Sequence, residues 1–264
     1  MRKLYNPLFR VVWPRGTVPL FMMIWTIILS SPRISEAQLG DFKKFHTWTD
    51  LTTIYFFNPN FRYDGDYGLR GVLTDSDWTL LYLRPSVRYS EWNWMQLHGG
   101  AALFYNFLRD IPDLPELRPW VGLRFIWPRF EGFTFSHYFR VEYRAFYYKE
   151  DKIWDAYFRS RYQFQVSNNN FSIGDLKGFV ALVSVELFED MSSLDDGTFG
   201  DRYRFNFGFG KRIIPKLRID INYVFHKLNI GGLLESDDHI IRTRFFYNFN
   251  WPQDLIQIEE DVQE

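Results

Sequence analysis

The 264-residue chain has no cysteine, which excludes a disulfide framework and any thiolate metal site. It has almost no net charge. The formal value is -1 at pH 7, so bulk charge argues for neither a nucleic-acid partner nor an acidic substrate. Mean hydropathy is -0.28, and only one apolar run, close to the N-terminus, stands out, which argues against a helical inner-membrane protein. No segment shows a capped 3.6-residue period. No glycine- or proline-rich linker divides the chain. His46, His98, His137, His226 and His239 are scattered without metal-ligand spacing, and neither a nucleophile elbow nor a phosphate loop is present. No metal and no cofactor is expected.

Aromatic residues, in contrast, make up 20% of the chain: 28 Phe, 16 Tyr and 10 Trp. They follow a period of two. From Phe133 to Tyr147, Phe133, Phe135, His137, Phe139, Val141, Tyr143, Ala145 and Tyr147 share one phase, and Arg140, Glu142 and Arg144 share the other. Successive strand residues point to opposite faces, so this is a two-faced strand. It is longer than the roughly 5–6 residues usual in soluble domains. An aromatic-rich face opposite an arginine-rich face points to a transmembrane β-barrel, apolar outside and polar inside.

The N-terminus supports export. Arg2, Lys3, Arg10 and Arg15 precede the apolar run Val18–Leu29, and Ser35-Glu36-Ala37 provides small residues at a cleavage site. Residues 1–37 are therefore expected to be a signal peptide. A membrane anchor is the alternative, but the run falls short of the roughly 20 residues that span a bilayer. Residues 38–251 are read as the barrel and 252–264 as an acidic periplasmic tail, disordered or docked to a periplasmic partner.

The pattern predicts an all-β, antiparallel up-and-down transmembrane barrel of ten strands, near 45–57, 77–90, 93–107, 117–129, 131–148, 153–167, 178–189, 200–212, 216–228 and 239–250. Residues 58–76 are ambiguous, and an extra pairing there would make twelve strands. Connections at 90–92, 130–132 and 214–216 are tight, and 167–170 begins a longer one. Those at 108–116, 149–152, 190–199 and 229–238 are mostly longer and rich in Asp, Gly and Pro. Short turns on the periplasmic side put both mature termini there, which requires an even count. The acids of the outer loops, among them Asp110, Asp113 and Glu116, are read as solvated charges, with Ca²⁺ or Mg²⁺ bridging of lipid phosphates as the alternative.

Strand by strand, the inward phase carries Arg84 and Arg88, Arg118 and Arg124, Arg140, Glu142 and Arg144, Arg159 and Arg161, Glu186, Arg202 and Arg204, Arg218 and Asp220, and Arg242 and Arg244. An arginine facing lipid at the midplane costs roughly 2–4 kcal/mol, so this phase fixes register. A soluble barrel or sandwich with the faces exchanged fits the same alternation. The long strands, the rings and the leader favour the membrane version. The lumen is then basic, either filled by interlocking side chains or open as an anion-favouring pore.

Several runs carry a resemblance. Leu83-Arg84-Pro85-Ser86-Val87-Arg88-Tyr89, Leu117-Arg118-Pro119-Trp120 and His137-Tyr138-Phe139-Arg140-Val141-Glu142-Tyr143-Arg144 come first. Phe158-Arg159-Ser160-Arg161-Tyr162, Val185-Glu186-Leu187-Phe188 and Asp201-Arg202-Tyr203-Arg204-Phe205 follow. In this order and spacing they resemble a family of outer-membrane barrels, the domain of unknown function twenty-four-ninety, over about 45–250. The resemblance implies a fold and an outer-membrane location in a Gram-negative cell, and carries no activity.

The leading expectation is thus a non-enzymatic envelope barrel, structural or a narrow anion-favouring pore. It would contact outer-membrane lipid and lipopolysaccharide, and the barrel-assembly machinery during biogenesis, with no nucleic acid. The alternative is a lipid-modifying enzyme, a hydrolase or acyltransferase. Its candidates are His137 and Ser160, which share the lipid face of neighbouring strands but lie several residues apart with no orienting group.

Overall fold

The computed structural model describes residues 42–72, 78–109, 112–191, 202–230 and 234–250, all within one compact unit, 41–264. The expected signal peptide at 1–37 and tail at 252–264 lie outside the described residues. The described residues form eleven strands: β1 (Phe42–Asn58), β2 (Phe61–Val72), β3 (Trp78–Trp92), β4 (Met95–Leu108), β5 (Leu114–Ile126), β6 (Thr134–Tyr148), β7 (Ile153–Ile173), β8 (Leu176–Met191), β9 (Arg202–Ile214), β10 (Leu217–Ile230) and β11 (Leu234–Asn248). Each pairs antiparallel with its sequence neighbours, and β1 closes on β11 in parallel. The barrel is all-β, but its closure is mixed.

The expected ten strands are therefore corrected to eleven. The extra strand, β2, occupies the ambiguous segment. Its alternation is hard to see because glycines dilute the outward row, Tyr63, Gly65, Tyr67, Leu69 and Gly71, while Asp64, Asp66 and Arg70 face inward. An odd count also changes the ends. Each antiparallel step reverses direction, so β1 and β11 run the same way. Phe42 and Asn248 consequently lie at opposite rims, and the expectation that both strand ends share one side fails.

The two rims still differ. Residues 59–60, 93–94, 174–175 and 215–216 make two-residue turns on one rim, joined by the longer 127–133. In that connection Glu131 and Gly132 take positive φ inside a tight Phe130–Phe133 bridge. The other rim holds the ends of β2, β4, β6, β8 and β10 and the starts of β3, β5, β7, β9 and β11. The turn expected to begin at 167–170 is displaced. β7 continues through Asn168 with a bulge before Phe171 and turns at Gly174, φ +58.

Three prolines sit inside strands, and two of them, Pro85 and Pro119, leave gaps within the ladder because proline has no N–H to donate. Pairing of β3 with β4 stops at Leu83 and resumes at Ser86, around Pro85. Pairing of β5 with β6 stops at Leu117 and resumes at Trp120, around Pro119.

The exterior is apolar. Val121 is 66% exposed and Ile221 60%, with Leu83, Val141, Phe207 and Ile241 also exposed. Trp92, Trp94 and Trp127 are exposed by the short-turn rim, and Tyr148 and Trp154 by the other. Outward His137 bonds Tyr162 at 2.8 Å, and outward His239 bonds Tyr223 at 2.7 Å. Among the described residues the interior holds two small apolar clusters, Trp48 with Val224 and Ile240, and Tyr82 with Ala102 and Phe104. No helix among the described residues is long and apolar enough to cross a membrane, which says nothing of crossing by strands.

Candidate functional site: the ionic interior

Inside the barrel the pleat brings charged residues of ten strands, and His98 of β4, onto one concave surface. On the β5–β8 wall the hub is Glu142 of β6, 1% exposed. Arg159 donates to it at 2.5 and 2.9 Å, Arg161 at 2.9 Å, and Arg140 lies at 2.9 Å and Arg118 at 3.8 Å. Glu116 of β5 accepts from Nε and Nη2 of Arg118, each at 2.7 Å, and from Nε and Nη2 of Arg144, at 2.7 and 3.0 Å. Glu186 of β8 accepts from Arg161 and from Arg204 at 3.2 Å. Asp190 accepts from Arg202.

The opposite wall is built from β1–β3 and β11. Asp50, fully buried, accepts from Arg242 and from the Tyr82 hydroxyl at 2.6 Å. Gly68 makes the second contact possible, because a Cβ there would collide with the Tyr82 ring and with Asp50. Asp66 accepts from Arg84 and from Thr52 at 2.8 Å. Arg70 packs over Trp48 at 4.1 Å and Tyr82 at 4.7 Å. Asp220 of β10 faces Arg218 at 3.0 Å. Buried charges are tolerated only when paired and hydrogen-bonded, and most of these are.

Between the walls lies a cavity of about 450 Å³. Thirteen arginines line it against four carboxylates, Asp64, Asp66, Glu116 and Glu186, so its surface keeps a positive surplus after pairing.

All sixteen charged residues expected inside take the inward phase. Arg84, Arg88, Arg118, Arg124, Arg140, Arg144, Arg159, Arg161, Arg204, Arg242, Arg244 and Glu186 line the cavity. Glu142 and Asp220 are buried behind it, and Arg202 and Arg218 turn to Asp190 and Asp220. Glu116 corrects an expectation. Expected in a solvated outer loop, it lies in β5, 3% exposed and clamped by two arginines. The reason is that Leu114-Pro115 already belongs to the strand, which a proline-marked loop disguises.

Asp50, Asp64, Asp66, Arg62, Arg70 and His98 escaped the sequence reading. β1 has no arginine, and its outward row alternates Thr with Phe45, Leu51 and Tyr55, so no apolar row marked the inward phase. Trp48, Asp50, Thr52 and Ile54 in one phase were the available signal.

His137 and Ser160 are not brought together. His137 pairs in register with Phe164, and Ser160 with Val141. A four-residue offset at roughly 3.3 Å per residue exceeds hydrogen-bond reach several-fold, and the ring of His137 is already bonded to Tyr162.

Among known proteins, a family model described as a protein of unknown function, DUF2490, matches residues 45–232. No curated protein matches the chain.

Proposed function

The chain belongs to the DUF2490 family, whose description assigns no activity, and on that premise we propose that it is an outer-membrane β-barrel of a Gram-negative cell, a narrow passage that favours small anions. The observation that carries this is the cavity, with thirteen arginines against four carboxylates, enclosed by an exposed apolar wall. Lipid requires every backbone group to be satisfied internally, and a closed barrel does this. The odd strand count is compatible with insertion, since parallel closure leaves no free edge. Basic linings favour anions electrostatically.

In this reading the exterior meets outer-membrane lipid, and the rim of two-residue turns faces the periplasm, together with the end of β11. Cell fractionation tests the address: the folded protein is expected in the outer-membrane pellet, with heat-modifiable gel mobility. Planar-bilayer recording of the refolded protein tests the passage. An anion-over-cation reversal potential in a salt gradient is expected. A silent bilayer would leave a purely structural barrel, in which the Glu142 and Glu116 lattices fill the interior.

A further inference from the structure

One level of the interior, toward the short-turn rim, has cations that its carboxylate cannot match. Arg62 of β2 and Arg88 of β3 are direct cross-strand partners, an arrangement of like charges that is ordinarily destabilising. A single carboxylate, Asp64, lies at 3.1 Å from Arg62, 3.0 Å from Arg88 and 3.4 Å from His98. Arg88 also donates to Gln96 at 3.4 Å, and Gln96 is the register partner of Arg124 on β5. Among the described residues no carboxylate lies within ion-pair distance of Arg124. Its guanidinium instead lies over the Tyr138 ring at 4.9 Å. That ring is held by a 3.2 Å bond between its hydroxyl and His98.

Three arginines and one carboxylate leave two charges uncompensated beside the cavity, which all four of these residues line. An uncompensated buried charge is costly, and planar guanidinium groups suit oxyanions through paired N–H donors. The cavity, about 450 Å³, falls in the range of small-ligand sites.

We propose that Arg62, Arg88 and Arg124 form an oxyanion site inside the barrel, selective for a dianion of the phosphate or sulfate class over chloride. It rests on the reading that the interior is open to anions. His98 and Tyr138 are positioning residues: one ties Asp64 to the ring, and the ring holds Arg124 in place.

The test uses the full chain refolded in detergent, with inorganic phosphate as probe. At matched ionic strength, phosphate is expected to raise the unfolding midpoint saturably and chloride is not. Arg124→Gln should weaken the phosphate response about tenfold, the loss expected for a charge-assisted hydrogen-bond pair. Arg218→Gln, whose arginine faces Asp220 elsewhere, should respond as wild type. If Arg124→Gln does not fold, Asp64→Asn decides: removing the shared carboxylate should tighten phosphate binding. Equal midpoints in phosphate and chloride, a wild-type response from Arg124→Gln, or no tightening in Asp64→Asn would overturn the site. A phosphate response in a protein without anion-selective conductance supports the site and sinks the passage. Selective conductance without a phosphate response sinks the site alone.

Discussion

β6 and β2 carry similar inward faces and very different outward ones. Inside, β6 offers Arg140, Glu142 and Arg144, and β2 offers Arg62, Asp64, Asp66 and Arg70, all engaged in ion pairs or ring contacts. Outside, β6 presents exposed Phe139, Val141 and Tyr143, while β2 alternates glycine with Tyr63, Tyr67 and Leu69. The ionic interior thus belongs to the barrel as a whole, whereas visibility in the sequence depends on the apolar exterior. A second contrast follows. Glu142 meets four arginines, three of which also reach a second carboxylate, Glu116, Asp190 or Glu186, but among the described residues Arg62, Arg88 and His98 have Asp64 alone.

The largest expected effect tests the Glu142 side. Glu142→Gln leaves its arginines without their carboxylate, and removing one partner of a buried ion pair costs about 3–5 kcal/mol. A urea midpoint of the refolded protein measures it, and a shift below 1 kcal/mol would mean that water in the cavity already screens the hub. Next, Val141→Arg reverses the outward face of β6. At about 2–4 kcal/mol it should impair folding into lipid vesicles, and indifference to lipid would argue for a soluble barrel.

On β2, Gly68→Ala pushes a methyl group into the Tyr82–Asp50 contact. Overpacking of this kind costs about 1–3 kcal/mol, read as a lower melting temperature of the folded band. Asp64 lines the cavity, where water reaches its cations, whereas Glu142 is buried behind it, so Asp64→Asn should cost less than Glu142→Gln, about 1–3 kcal/mol, and should raise anion selectivity in a bilayer. A larger loss than at Glu142 would invert the contrast between the two hubs.

The smallest effect lies in water. At the longer-loop rim, Tyr105 donates to Asp113 at 2.8 Å, and Lys149 approaches at 3.5 Å. The Tyr105 hydrogen bond, aided by Lys149, holds the Asp113 carboxyl below its ordinary range. A carboxylate with a depressed folded pKa contributes stability above its unfolded pKa and loses it as pH falls through the folded value. Lys149 is exposed and Asp113 partly so, so the contribution is screened. Asp113→Asn should flatten only the acid end of the stability–pH curve, and a change near neutrality would show that the pair matters more than its exposure implies.

Most strands, their facing and the inward arginine row were legible in the linear chain, because a period of two needs only local alternation. The inward positions of Arg84, Arg140 and Arg244 follow from that alternation alone. The strand position of Glu116 is hidden by a neighbouring proline that resembles a loop, and β2 is hidden because glycine erases the outward row. The tertiary structure alone decided the count of eleven and the parallel seam of β1 with β11. It also decided the pairing of each carboxylate with its cations. Asp50 meets Arg242 across 192 positions of sequence, and Arg62 faces Arg88 through a hairpin register that no local pattern encodes. Alternation fixes which face a side chain takes. Closure, register and stagger between distant strands fix which charges meet.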